Sequence, residues 1–151
     1  MCLLFIGLWH NASHAQKVIK FEDAEKQGIG YMHLDSIYKS ALHANVDLAV
    51  FKTAAQQQSL TAAYGKFIQN LGAYLKQNNF KWDKSTRCYN RIYMNADGTV
   101  EYFLYHFTAN DVPHDKEKQF NILLTQFVKD NRFGITANEK FAQCSPVKYS
   151  D

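Results

Sequence analysis

Three residues of this chain have side chains that can act together: Cys88, His106 and Cys144. Two thiols and an imidazole can ligate zinc or copper. A thiol beside an imidazole can also be an activated nucleophile. In an oxidising compartment the two thiols pair instead. A Cys88–Cys144 disulfide would close a loop of about 56 residues and stabilise by roughly 4 kcal/mol in the chain-entropy model. The disulfide is the expected state, and a metal or thiol site on Cys88, His106 and Cys144 is the alternative. Asp111, His114 and Asp115 also lie close in sequence, but Asp115 reads more simply as a helix cap. His33 and His43 stand alone. There is no glycine-rich phosphate loop, G-x-S-x-G, H-E-x-x-H or C-x-x-C. The expectation is a non-catalytic chain without a cofactor, with a cell-envelope enzyme as the outlying alternative.

The compartment decides which thiol chemistry applies. No Lys, Arg, Asp or Glu occurs before Gln16. An apolar run, Cys2 to Trp9, is followed by Ser13-His14-Ala15, the pattern of a cleaved export signal. Residues 1–15 are therefore read as a signal peptide, although the basic n-region of such signals is absent. The apolar run stops at His10-Asn11, short of the about 20 residues a membrane span needs, so no transmembrane anchor is expected. The mature chain would be periplasmic or secreted. Its length, about 136 residues, suits one domain over residues 16–151.

Hydrophobic content of 46% with 21% charged residues fits a folded core. The net charge is +3, and the basic residues are scattered rather than gathered into a stripe, which argues against nucleic acid as a partner.

Elements must position the candidate residues. Leu34, Ile37, Tyr38, Ala41 and Leu42 recur at helical spacing and predict a helix over 32–44. A longer one follows over 53–78, capped by Thr53, with Leu60, Tyr64, Phe67, Ile68, Leu71, Tyr74 and Leu75 on one face. Gly65 and Gly72 inside it suggest close approach by another element. Residues 87–95 and 99–107 then alternate with period two around Asn95-Ala96-Asp97-Gly98, a type I turn with a G1 bulge. A helix over 116–131 and a strand over 141–149, with Pro146 marking an edge or bulge, complete the chain. The fold class is α+β: N-terminal helices, a small antiparallel sheet centred on the hairpin, and a helix before the last strand.

The turn sets a register that pairs Asn95 with Thr99, Ile92 with Tyr102 and Cys88 with His106. One face then carries Cys88, Ile92, Val100, Tyr102, Leu104 and His106 and should cover the core. The other carries Glu101 and the candidate binding residues Tyr89, Arg91, Tyr93, Phe103 and Tyr105, since exposed aromatic and Arg groups mark interfaces. The alternative is that the long helix covers this face.

Residues 87–149, with their strand, Asn95-Ala96-Asp97-Gly98-Thr99-Val100, strand, amphipathic helix and final strand ending Pro146-Val147-Lys148-Tyr149, resemble the C-terminal periplasmic domain of TonB-type energy transducers. The resemblance implies a fold for this half and partner binding through a strand. The membrane anchor and Pro-rich spacer of such transducers are not found in this sequence, so energy transduction is not implied. Taken together, the residues suggest an exported binding or interaction module that engages a protein or peptide through the aromatic sheet face or the edge strand near Tyr149.

Overall fold

The computed structural model describes residues 16–108 and 111–151. The expected signal peptide lies outside the described residues. The chain opens with β1 (Lys17–Lys20), two short helices, α1 (Phe21–Lys26) and α2 (Tyr31–Asp35), and β2 (Lys39–Ser40). Then come the long α3 (Ala54–Gln77), the hairpin β3 (Thr86–Met94) and β4 (Val100–Phe107), α4 (His114–Asp130) and β5 (Phe141–Tyr149). The class is α+β. The sheet, however, is mixed rather than the antiparallel, hairpin-centred sheet expected. Its order is β1-β4-β3-β5-β2, with β1 parallel to β4 and β2 parallel to β5. Parallel neighbours require crossover connections, and the two N-terminal strands, both very short, are what the hairpin pattern could not announce.

α3 forms where its periodicity predicts. Thr53 accepts from the Gln56 N–H while the Gln56 side chain accepts from the Thr53 N–H, a complete capping box. Leu60, Phe67, Leu71 and Leu75 are buried on its inner face. α4 lies beside it: Phe67 and Phe127 meet edge to face at 5.2 Å. Nothing lies within 4 Å of a Cβ placed on Gly65 or Gly72, so no element packs close there. α3 and α4 cover one face of the sheet. On the other face α1 and α2 enclose a smaller core of Ile19, Ala24, Leu34, Tyr38, Tyr93, Leu104 and Ala142. The helix expected over 32–44 stops at Asp35, whose carboxylate bonds Arg91 on the sheet, and the chain then turns to lay Lys39 and Ser40 along β5.

The hairpin turn forms as expected. Gly98 N–H donates to Asn95 O at 3.0 Å, Asn95 N–H to Thr99 O at 2.9 Å, and Gly98 holds φ +82°. The register then changes. Met94 pairs with Val100, but Tyr93 pairs with Tyr102, so Glu101 is an extra residue on β4. This second bulge shifts every later pair by one and exchanges the two faces of β4. Phe103, Tyr105 and Phe107 face the main core under the helices, where Tyr105 and Phe107 pack on Phe120 of α4. Tyr102, Leu104 and His106 face the other way.

Candidate functional site

The three chemically capable residues do not converge. Cys88 pairs with Val147 and Cys144 with Arg91, so the two thiols sit three residues apart in register and on opposite sheet faces. Both are free. The expected Cys88–Cys144 disulfide is therefore corrected: no bridge can reach through the sheet. His106 pairs with Tyr89, and it too lies on the face opposite Cys88. Among the described residues no cluster of metal-ligating groups occurs, and the Cys88–His106–Cys144 alternative has no shared centre. Cys88 is buried at 3% exposure, which pushes its thiol up to about 12. It donates to Asn90 Oδ1 at 3.2 Å, and Asn90 Nδ2 donates to the Tyr149 hydroxyl at 2.9 Å. This is a core polar chain, not a nucleophile.

The aromatic face also divides. Phe103 and Tyr105 are fully buried in the main core, Tyr105 against Phe120 of α4, and Tyr93 is buried under α2. Tyr89 is exposed and Arg91 half-buried. Arg91 Nε donates to Asp35 Oδ1 at 3.1 Å, and the Tyr93 hydroxyl donates to the same oxygen at 3.0 Å. Beside them the Tyr38 hydroxyl and Lys140 Nζ, the latter at 2.8 Å, both donate to Glu101 Oε2. Burial opposes ionisation of Glu101, but these donors outweigh it and hold its carboxyl below the ordinary range. Tyr93 and Arg91 thus fasten the end of α2 onto the sheet through Asp35.

What remains free is the edges. β2 bonds only the first residues of β5: Lys39 N–H donates to Lys140 O and Ala41 N–H to Ala142 O. Alternation then turns the backbone groups of Cys144, Pro146 and Lys148 outward along the remaining edge. Pro146 has no N–H. Gln143 Nε2 donates to Cys144 O at 3.1 Å and Ser145 Oγ to Pro146 O at 3.0 Å. Two acceptors are occupied and one donor is missing, so the edge near Tyr149 is blunted against strand pairing.

The opposite edge differs. No strand lies beyond β1 among the described residues. A cleft of about 640 Å³ runs along it, floored by all four β1 residues and Tyr105. α1 supplies one wall with Asp23 and Lys26, and α4 the other with Glu117, Lys118, Asn121 and Ile122. β1 holds its place because Val18 packs on the main core and Ile19 on the smaller one. Gln16 Nε2 also donates to Val128 O at 2.8 Å, tying the start of the strand to α4.

No protein-family model, curated protein or solved structure matches this chain.

The cleft's chemistry is that of its lysines. Lys17 Nζ donates to Gln27 Oε1 at 2.6 Å, and Lys26 pairs with Asp23 at 3.1 Å. Across the strand Lys20 Nζ donates to Glu117 Oε2 at 3.0 Å. Glu117 Oε1 is 2.9 Å from the same nitrogen but lacks an aligned donor, and it is buried. The hydrogen bond to Glu117 raises the Lys20 pKa, so the lysine stays charged. Sequence reasoning reads residues 17–30 as an extended entry segment or short strand with a turn, and a short strand does form at Lys17–Lys20, but it assigns no site there. The site's signal was present in Lys17-Val18-Ile19-Lys20, two buried-type residues between lysines, which is the composition of a short edge strand.

Proposed function

We propose that this chain is a non-catalytic binding module that takes an extended protein segment as an added strand on the outer edge of β1. The observation that carries this is the contrast of edges: β1 has an unpaired outer side at the floor of a walled cleft, while β5 is blunted. An added strand gains main-chain hydrogen bonds from such an edge, and side-chain pockets on alternate sides give it specificity. The cleft's volume lies within the range of ligand pockets. The setting we assign is outside the cytoplasm, from the leader-like residues 1–15. The resemblance of residues 87–149 to TonB-type periplasmic domains supports strand-mediated partner binding as a mode, here at β1 in place of the edge near Tyr149. Among the described residues no helix is long and apolar enough to cross a membrane.

The test is amide hydrogen exchange with peptides selected on the purified protein from a displayed library of extended sequences. Protection should rise at Lys17–Lys20. Protection appearing instead at Gln143–Tyr149, or failure to select any peptide, would reject the β1 site.

A further inference from the structure

Resting on strand addition at β1, we infer the charge pattern of the partner: an extended segment with carboxylates three residues apart, one for each wall of the cleft. Lys17 and Lys20 are separated by three positions, so their side chains leave β1 on opposite faces. Lys17 goes to the α1 side, where it bonds Gln27, and Lys20 to the α4 side, where it bonds Glu117. On the α1 side Lys17 and Lys26 face the single carboxylate of Asp23. On the α4 side Lys20 and Lys118 line the cleft with Glu117 and His114, and the α1 carboxylates Glu22 and Asp23 also act on Lys20. The four lysines that line the cleft outnumber its two lining carboxylates, Asp23 and Glu117. An added strand places its own side chains opposite those of β1, alternating between the same two walls, so acidic residues at i and i+3 stand beside Lys17 on one wall and Lys20 on the other. Opposite-charge pairs across neighbouring strands are favourable and like-charge pairs are not. A second copy of this chain is disfavoured as occupant, because it would bring its own Lys17 and Lys20 to a cleft already lined by four lysines.

The probes are blocked peptides with the core Glu-Val-Ile-Glu, its glutamine counterpart Gln-Val-Ile-Gln, and the rearranged core Glu-Glu-Val-Ile, with affinity read by calorimetry and β1 protection by hydrogen exchange. The spaced acidic peptide should bind roughly tenfold more tightly than the glutamine peptide, the size expected of two favourable cross-strand charge pairs, and more tightly than the rearranged one. The advantage should shrink with added salt. The variant Lys17→Glu/Lys118→Glu removes one lysine from each wall and leaves the Lys20–Glu117 and Lys26–Asp23 pairs in place. It should keep the fold, checked by circular dichroism, and lose the preference for the acidic peptide. Equal affinities for the acidic and glutamine peptides, with β1 protected by both, would overturn the charge pattern and leave strand addition standing. Equal binding of the rearranged core would reduce the effect to unspecific attraction and overturn the spacing. Undiminished acidic preference in the double variant would overturn the assignment of the walls. If none of the peptides protects β1, strand addition itself falls.

Discussion

Along β5, from Gln143 to Tyr149, Pro146 has no N–H to offer and two outward carbonyls are already bonded by Gln143 and Ser145 side chains. Along β1, among the described residues, no side chain bonds the strand's own backbone from outside, and the lysines at its ends reach sideways to Gln27 and Glu117 instead. Both are edges of one sheet, and both are exposed to the same hazard of unwanted pairing. The difference teaches that an open edge is not by itself a docking site. β5 uses local chemistry to stay unpaired. β1 stays short, with charge at both ends, and is flanked by α1 and α4 across an open cleft. On the strand's two faces, Val18 and Ile19 anchor it to two separate cores. A walled edge anchored on both faces suits recognition. A blunted one suits solubility.

The hardest way to break this contrast is to unseat β1. Ile19 is 7% exposed and packs in the smaller core with Leu34, Tyr38 and Leu104. Ile19→Ala should cost about 2–3 kcal/mol, the lower part of the range for such truncations because the strand is peripheral. Urea unfolding measures this. Hydrogen exchange should show protection lost first in β1 and α1, with β5 unchanged. A loss spread evenly over the sheet would mean that β1 is not separately anchored.

The next effect concerns the register that gives β1 its neighbours. Glu101 is the extra residue at the bulge, and its carboxylate takes bonds from Tyr38 and Lys140. Glu101→Gln sets an amide N–H₂ group among those donors and should cost about 1–2 kcal/mol at neutral pH. The pH dependence has a definite sign. The folded-state pKa lies below the ordinary value of 4.5. The stability this group adds is therefore complete above that value and is lost as pH falls through it toward the folded-state pKa. The gap between parent and variant should close as pH falls below the ordinary glutamate range. A gap independent of pH would mean that the loss is one of packing alone.

Much of the frame was legible before the structure. The Thr53 cap, the Asn95–Gly98 turn and the last strand stand where residue type and spacing put them, because each is fixed by chemistry within a few residues. The second bulge was not, because Glu101 is the polar residue that simple alternation puts on the outer face. A signal existed nonetheless: Phe103, Tyr105 and Phe107 form a bulkier alternating set than Tyr102, Leu104 and His106, and reading β4 from its far end would have turned the aromatic set inward. The thiols were misjudged for the same reason. Strand pairing brought Cys88 and Cys144 near in register, but their parity, set by long-range pairing of β3 with β5, puts the sheet between them. The β1 site combines segments far apart in the chain, α1 and α4, and no local pattern joins them.

The smallest expected effect sharpens the contrast from the other side. Gln143→Val/Ser145→Val/Pro146→Val restores an outward N–H at position 146 and frees the carbonyls of residues 144 and 146, without changing the parity of β5. Residues 143 and 145 are only half-buried, so the three changes should alter folding stability by a few tenths of a kcal/mol, as surface substitutions do. What should change is the company the edge keeps. An exposed β-branched edge is a template for pairing with a like chain, and sedimentation velocity should show weak, concentration-dependent dimers in the triple variant and none in the parent. β1 should be indifferent to this change, because the two edges lie at opposite sides of the sheet with β3 and β4 between them. If the variant stays monomeric at high concentration, the missing donor and the bonded carbonyls are not what keeps β5 unpaired. Lys148 and the strand's twist would then be the agents, and β1 would have to be distinguished from β5 by its walls alone.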